Sequence, residues 1–171
     1  MLGFHLGFGG SVEADGTKTD LVSTLGFNIR EDFPLARYVL IGPLFQFGAW
    51  RPDVPSGAPD RSYYVDIDLF VRGRIPIELE SIGLEVWGGV PIGLSLSFLG
   101  ADAYPPLESF GFGWNVGVLF GGAIHFSKNF GMFTELGWLQ HRMNHDRNVG
   151  QGSVDFLLAQ GNFNIGFVFS N

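Results

Sequence analysis

The stretch SFGFGWNVGVLFGGAIHFS, residues 109–127, decides the fold class. It holds no charged residue and, at 19 residues, matches a membrane-spanning helix in length. It also contains five glycines, and its large apolar residues fall on every second position, beginning with Phe110, Phe112 and Trp114. Because successive side chains of a strand point to opposite faces, this period of two indicates a β-strand with two unlike faces rather than a helix.

The same alternation recurs eight times along the chain. The predicted strands are residues 2–14, 21–31, 37–50, 63–75, 84–98, 110–127, 130–142 and 154–169. Short turns, such as Lys128-Asn129, alternate with longer polar connections, an asymmetry typical of membrane barrels with short periplasmic turns and long outer loops. We therefore predict an all-β chain with one domain, residues 1–171, folded as an eight-stranded antiparallel up-and-down transmembrane β-barrel.

Composition agrees with a surface that largely avoids water. The chain has 171 residues, of which 16% are charged, against roughly 25% in soluble domains. The net charge of −7 disfavours a nucleic-acid partner, and the lack of cysteine excludes disulfides and thiolate sites. The first residues, MLGFHLGFGG, lack the basic start and continuous apolar run of a secretion signal, so we expect the signal of an exported protein to be absent from this sequence.

The alternation alone leaves open which face points inward. In a soluble barrel such as a lipocalin the apolar face surrounds a ligand, whereas in a membrane barrel the arrangement is inverted. The second face here is mostly Gly, Ser and Asn with isolated charges of both signs, which indicates a crowded interior. In residues 110–127, aromatic residues sit at both ends of the strand, as in the girdles found at membrane interfaces. We therefore predict that the apolar face meets hydrocarbon.

Nine polar residues are then predicted to form an interior polar network. They are Glu13, Arg30, Asp66, Asp68, Arg72, Arg74, Glu85, His125 and Glu135. Buried charges must be paired, so we interpret the network as a structural ion-pair core, with a gated polar path as the alternative. Since side chains just fill the interior of an eight-stranded barrel, we expect no open pore.

The hairpin GGAIHFSKNFGMFTELGW, residues 121–138, resembles that of the eight-stranded outer-membrane β-barrel family, which includes the OmpA transmembrane domain and OmpX. A short Lys-Asn turn joins two strands, and the second carries an inward Glu before a Gly-aromatic pair. The resemblance implies residence in a Gram-negative outer membrane. It does not imply one activity, because members of this fold are structural, adhesive, lipid-modifying or partner-binding.

The same hairpin allows a prediction of register. Residues directly opposite on paired strands point to the same side, so an inward His125 and an inward Glu135 require odd numbers to pair with odd numbers. A strict two-residue turn would violate this. We therefore predict a three-residue or bulged connection that places Glu135 opposite Ala123.

Three prolines interrupt strand-like runs. Pro43, Pro76 and Pro91 cannot donate to a ladder, so strand ends or bulges must accommodate them. Pro43 is predicted to face lipid in the middle of its strand.

Two sets of residues could carry chemistry. His125-Phe126-Ser127 resembles the His-x-Ser of outer-membrane lipid A deacylases, but its two functional residues lie on one strand beside a turn predicted to be periplasmic. We interpret them as an interior His near a turn Ser. His141, His145 and Asp146 have a spacing suited to a helix, and we interpret them as solvated loop residues rather than metal ligands. We predict no catalytic residue, no metal and no cofactor.

The sequence thus predicts an integral protein of the bacterial outer membrane with a structural or partner-binding role. The alternatives are a soluble lipocalin-like barrel that binds an apolar ligand and a lipid-modifying outer-membrane enzyme. The expected partners are outer-membrane lipid and lipopolysaccharide, the outer-membrane assembly machinery during insertion, and a protein partner at loops 51–62 and 102–109. No nucleic-acid partner is expected.

Overall fold

The structure, a computed structural model, describes residues 1–54, 60–79, 82–100, 107–148 and 152–169. Its strands are β1 (Leu2–Ala14), β2 (Thr17–Asp20), β3 (Thr24–Arg30), β4 (Phe33–Ala36), β5 (Val39–Trp50), β6 (Ser62–Glu78), β7 (Gly83–Phe98), β8 (Leu107–His125), β9 (Phe130–Arg147) and β10 (Ser153–Phe169). Within the described ranges, no helix is long and apolar enough to cross a membrane.

The eight longer strands form a closed antiparallel barrel. Around the wall the order is β1, β3, β5, β6, β7, β8, β9, β10, and β10 pairs with β1 from Leu2–Phe167 to Ala14–Phe156. The short strands β2 and β4 pair with β1 and β5, respectively. Closure satisfies the backbone of the wall internally, as hydrocarbon surroundings require. The predicted eight-stranded all-β fold is confirmed, with β2 and β4 as additions that the alternation did not indicate.

Bulky apolar side chains cover the outside of this wall. Leu25, Phe4 and Phe120 are 72%, 63% and 64% exposed, and every wall strand contributes large exposed apolar residues. The inward positions hold small, polar and charged side chains, most of them buried. This arrangement is the reverse of a soluble carrier barrel, because water-soluble monomers rarely expose a continuous apolar surface of this size.

The two ends of the barrel differ in their connections. The turn end carries connections 31–38, 79–82 and 126–129, together with the start of β1 and the end of β10. The loop end carries connections 15–23, 51–61, 99–106 and 148–152. In the predicted membrane orientation, the turn end is the periplasmic end and the loop end faces outward.

A β-bulge at Gly9 and Gly10 reverses the faces in the last third of β1. The pairing with β10 shifts between Phe8 and Gly10, and the two glycines have φ angles of 47° and 146°. The extra residue moves each following side chain to the opposite face, so Val12 is buried inside while Glu13 is exposed outside. The prediction that Glu13 belongs to the interior network is therefore wrong.

The connection between β8 and β9 is longer than the sequence suggests. Four residues, 126–129, join the strands, and the first two donate their backbone N–H groups to the carbonyl of Phe130 at 3.0 and 3.2 Å. Odd-numbered residues pair with odd-numbered residues, as predicted. Glu135 lies opposite Gly121, so the predicted partner Ala123 is wrong by two residues. The difference arises because the turn takes two more residues out of the strand pairing than predicted, the last pair being His125 with Gly131.

The three prolines lie at interruptions of the ladder. Pro43 lies opposite the break between β3 and β4. Pro76 lies in the part of β6 that continues beyond its pairing with β5, and Pro91 lies at a two-residue gap in the pairing of β7 with β8. Pro43 is exposed on the outer face, and its carbonyl accepts a hydrogen bond from the Glu31 N–H at 3.2 Å. Because the N and C=O of one residue point to the same side of an antiparallel strand, the missing N–H of Pro43 faces the break.

Candidate functional site

Six charged side chains gather inside the turn end of the barrel, and we call them the turn-end cluster. They are Arg30, Asp32, Arg72, Arg74, Glu85 and Glu135. The strand alternation places five of them on inner positions of β3, β6, β7 and β9, and Asp32 reaches in from the segment after β3. Three positive and three negative groups are present, so their formal charges cancel.

Glu135 is the centre of one half of this cluster. Its Oε2 accepts hydrogen bonds from Arg30 Nη1 at 2.9 Å and Trp87 Nε1 at 2.8 Å, and its Oε1 accepts one from Asn164 Nδ2 at 2.9 Å. The guanidinium of Arg30 lies 4.7 Å above the ring of Phe70. Glu135 is 3% exposed and Arg30 4%, so these charge-assisted bonds replace water almost completely.

Glu85 is the centre of the other half. Its two carboxylate oxygens accept hydrogen bonds from Arg72 Nη1 at 2.9 Å and Arg74 Nη1 at 3.0 Å. Asp32 links the halves, because its Oδ2 lies 3.1 Å from Arg72 Nη2 and 3.4 Å from Arg30 Nε. The result is one connected ion-pair network across the barrel rather than separate pairs.

The middle of the barrel holds two carboxylates with a different environment. Asp66 accepts a hydrogen bond from Ser95 Oγ at 2.6 Å, and Asp68 accepts bonds from Asn115 Nδ2 at 2.8 Å and Gln46 Nε2 at 3.4 Å. Among the described residues, no Arg or Lys forms a salt bridge with either carboxylate. Neutral amide and hydroxyl donors therefore stabilise these two groups in place of cations.

Two histidines line the interior between Asp66 and the loop end. β9 continues to Arg147, so His141 and His145 lie on its inner face and are fully buried, whereas Asp146 is exposed. His141 Nδ1 is 3.7 Å from an oxygen of Asp66. The interpretation of these residues as solvated loop positions is wrong for both histidines. The strand extends five residues beyond its predicted end at residue 142 and so includes His145, whereas His141 lies at an inward position within the predicted range.

Apolar side chains close the interior at the loop end, and we call this group the loop-end plug. Its buried members are Val12, Trp50, Tyr64, Leu99, Met143, Val154, Phe156 and Leu158. The rings of Trp50 and Phe156 are 6.3 Å apart, and the Tyr64 hydroxyl accepts a hydrogen bond from Gln160 Nε2 at 2.8 Å. An apolar layer therefore lies between the polar interior and the loop end of the barrel.

His125 and Ser127 lie at the rim of the turn end. His125 is the half-buried last residue of β8, and Ser127 is exposed in the turn, where its Oγ accepts a hydrogen bond from the Asn129 N–H at 3.3 Å. Among the described residues, the side chain of His125 forms no hydrogen bond or ion pair with a carboxylate. Within the part of the chain that the structure describes, His125 and Ser127 are therefore not joined to a carboxylate by hydrogen bonds.

The structure brings most of the predicted network together. Seven of the nine residues, all except Glu13 and His125, are inside the barrel and hydrogen-bonded or ion-paired. The predicted network did not include Asp32, Trp87 and Asn164. Trp87 and Asn164 occupy inward positions of their strands, so the alternation could have found them, whereas Asp32 follows the end of its strand and gave no such signal.

Within the described ranges, no group of three or more His, Asp or Glu side chains is placed to hold a metal ion.

Comparison with solved structures agrees with this fold. The outer membrane protein OprG from Pseudomonas aeruginosa superposes with a TM-score of 0.64 at 11% identity, over 98% of this chain and 92% of OprG. Neisserial surface protein A covers 99% of this chain and 96% of its own, with 10% identity and a TM-score of 0.43. The outer membrane enzyme PagL gives 10% identity and a TM-score of 0.42, over 96% of this chain and 98% of its own.

No protein-family model and no curated protein sequence matches the chain. At these identities the comparison shows the fold, that of an outer-membrane β-barrel, and leaves the role of the protein to its own residues.

Proposed function

We propose that this chain is an integral protein of a bacterial outer membrane with a structural or partner-binding role, and that its interior does not conduct ions. The observation that carries the proposal is the filling of the interior by side chains from one end to the other. The turn-end cluster and the loop-end plug are two closures of different chemistry in series, and either would hinder a hydrated ion. The apolar exterior supports the membrane location.

Planar-bilayer recording of the purified barrel tests the non-conducting interior. We expect no unitary current steps from the wild-type protein in a bilayer where a general porin gives regular steps. Trp50→Ala/Phe156→Ala thins the loop-end plug while leaving the turn-end cluster in place, and it should also remain silent. Regular wild-type steps whose size changes in this variant would show an ion path through the interior and refute the proposal.

The membrane location has its own test. The chain should partition with the outer-membrane fraction of a Gram-negative host, resist carbonate extraction and migrate differently in boiled and unboiled gel samples. Recovery in the soluble fraction without detergent would contradict it.

The loop end is the proposed site of a protein partner. Of the two predicted partner loops, 51–62 and 102–109, residues 55–59 and 102–106 lie outside the described residues. The Gly100 N–H donates to Ser62 Oγ at 3.1 Å and so connects the bases of the two loops. The Leu99 N–H donates to the Ser109 carbonyl at 2.7 Å and closes the base of the second loop. Photo-crosslinking from loop positions such as Arg61 in intact cells should capture a partner, and equal yield from Lys128 at the turn end would contradict this placement.

The proposal gives the chain no hydrolytic role. What supports this is that, among the described residues, neither the exposed Ser127 nor the half-buried His125 has a side-chain hydrogen bond or ion pair with a carboxylate. Incubation of the purified barrel with lipid A should release no fatty acid. Release that disappears in His125→Ala, but persists in Lys128→Ala, would instead establish an enzyme at this turn.

A further inference from the structure

Asp66 carries a buried carboxylate that the described residues satisfy only in part. Its Oδ1 accepts the 2.6 Å hydrogen bond from Ser95 Oγ, but its Oδ2 is buried and, among the described residues, has no hydrogen-bond donor. Asp68 differs, because each of its carboxylate oxygens accepts a hydrogen bond from an amide. Since a carboxylate away from water must be paired or neutralised, Asp66 needs a further partner.

The imidazole of His141 lies beside this carboxylate and also lacks hydrogen bonds. The residue is fully buried, and among the described residues neither of its ring nitrogens has a hydrogen-bond partner. A neutral imidazole carries one N–H donor and one acceptor nitrogen in either tautomer, so both remain unsatisfied. His141 Nδ1 is 3.7 Å from Asp66 Oδ1, and a shift of less than about 1 Å would bring the two atoms within hydrogen-bonding distance.

The side chains around this pair supply no fixed positive charge. On β6, Tyr64 and Asp68 flank Asp66, and the ring of Tyr64 packs edge-on against His141 with 4.6 Å between centroids. The titratable group from β1 is His5, whose Nε2 is 3.3 Å from the Tyr64 hydroxyl. Over the described ranges, no Arg or Lys forms a salt bridge with Asp66. The other strands around the pair contribute the neutral side chains of Gln46, Ser95, Asn115 and Leu158.

One proton satisfies both members of the pair. If the proton is on the carboxyl group, Asp66 donates a hydrogen bond to a neutral imidazole. If it is on the imidazole, His141 donates to the carboxylate as a cation. Both arrangements contain one proton and no net charge, whereas two protons or none would leave a net charge on the buried pair.

We propose that Asp66 and His141 together bind one proton on the interior side of the loop-end plug, and that this site makes the stability of the barrel depend on pH. Tyr64 is a member of the plug and lies directly against His141, so the bound proton also supports the packing of the plug. The inference rests on the placement of these side chains and is independent of the proposed function.

The direction of the pH dependence follows from the number of protons bound in each state. In the unfolded chain an Asp side chain titrates at about 3.9 and a His side chain at about 6.5, so the two residues hold one proton between these values and none above about 6.5. The folded pair keeps its proton on both sides of about pH 6.5. The ratio of folded to unfolded protein should therefore fall as pH rises from about 7 to 9, by up to about ten-fold per pH unit.

Urea titration of the refolded barrel in detergent, repeated over this pH range, tests the proposal, and the heat-dependent gel shift reports whether each variant is folded. Asp66→Asn supplies an amide that can donate to His141 but has no dissociable proton, so the pH dependence should weaken by about one proton. Asp68→Asn is the matched control, because it removes a neighbouring carboxylate whose two oxygens already accept amide hydrogen bonds, and it should keep the wild-type pH dependence. The same pH dependence in Asp66→Asn as in the wild type, or an equal loss in Asp68→Asn, would overturn the proposal.

Spectroscopy in mildly alkaline buffer, where free aspartate and histidine are both deprotonated, detects the proton directly. A proton on Asp66 gives a carboxylic-acid infrared band that is lost in Asp66→Asn and kept in Asp68→Asn. A proton on His141 gives the ¹⁵N signals of a doubly protonated imidazole in the histidine-labelled barrel, and these are lost in His141→Gln. If His141→Gln does not fold, Asp66→Asn takes its place, since it also removes the charge that retains the proton. The absence of both signals from the wild-type barrel would overturn the proposal.

Discussion

Removing Glu135 should destabilise the barrel more than any exposed carboxylate, because three buried donors converge on it. Glu135→Ala takes the acceptor from Arg30, Trp87 and Asn164, whose bonds to it measure 2.8 to 2.9 Å. Hydrogen bonds to a charged group contribute about 1.5–3 kcal/mol each, but they are not additive. Arg30 keeps Asp32 at 3.4 Å, so the loss falls short of a fully orphaned charge. We expect about 3–5 kcal/mol, the usual cost of breaking a buried pair.

Urea titration of the refolded barrel in detergent measures this loss. Tryptophan emission and the unboiled gel shift should report the same transition. Since about 1.4 kcal/mol is a factor of ten, the ratio of folded to unfolded protein should fall at least about 100-fold. For a chain of this size, the gel-shift melting temperature should drop by roughly 6–20 °C.

Two controls separate the network from the loss of any carboxylate. Glu78→Ala removes an exposed glutamate at the end of β6 and should change stability by less than about 0.5 kcal/mol. Arg30→Ala/Glu135→Ala should lose less than the sum of the two single variants, because the pair is coupled. A melting temperature of Glu135→Ala equal to that of Glu78→Ala would refute the paired-core reasoning.

Three further predictions concern other features of the wall and core. Gly10→Ala should lower the unfolding free energy by about 1–3 kcal/mol in urea titration, because φ is 146° and a Cβ would contact the Ala159 carbonyl, whereas Gly9→Asn should be tolerated. Asp68→Asn should leave the free energy of unfolding, measured by urea titration, unchanged or raise it, since no described cation pairs with Asp68. A decrease of more than about 2 kcal/mol in that free energy would contradict this. Pro43→Ala should change stability by less than about 1 kcal/mol by the same titration, because the restored N–H faces the break after β3.

The alternation was sufficient to predict the wall because lipid and interior impose opposite chemistry on successive residues. β8 shows this most clearly, since Phe110, Phe112 and Phe120 all point outward where the period of two places them. The inward charges followed from the same rule wherever the strand was regular, as for Asp68 and Glu135.

The predictions failed where a bulge or a strand end interrupts the alternation, or where the outward residues of a strand are polar. The bulge before Glu13 depends on backbone conformation at two glycines, and glycines occur at many inward positions without a bulge. His145 lies where the outward residues of β9 are polar, so no apolar alternation indicated that the strand continued to this position. Asp32 enters the turn-end cluster through tertiary contact, for which a single sequence carries no periodic signal.

The shift at Gly9 and Gly10 also determines which changes of length β1 can tolerate. Deleting one of these glycines would remove the extra residue and leave a regular ladder, in which Val12 still points into the loop-end plug and Glu13 still points outward. Deleting one residue from a regular strand would instead move each following side chain to the opposite face. Removing or adding residues two at a time would preserve the inside-outside frame. Regular strands therefore keep their inside-outside pattern under two-residue changes, and the extra residue at Gly9 and Gly10 is a position within a strand where a one-residue deletion also keeps it.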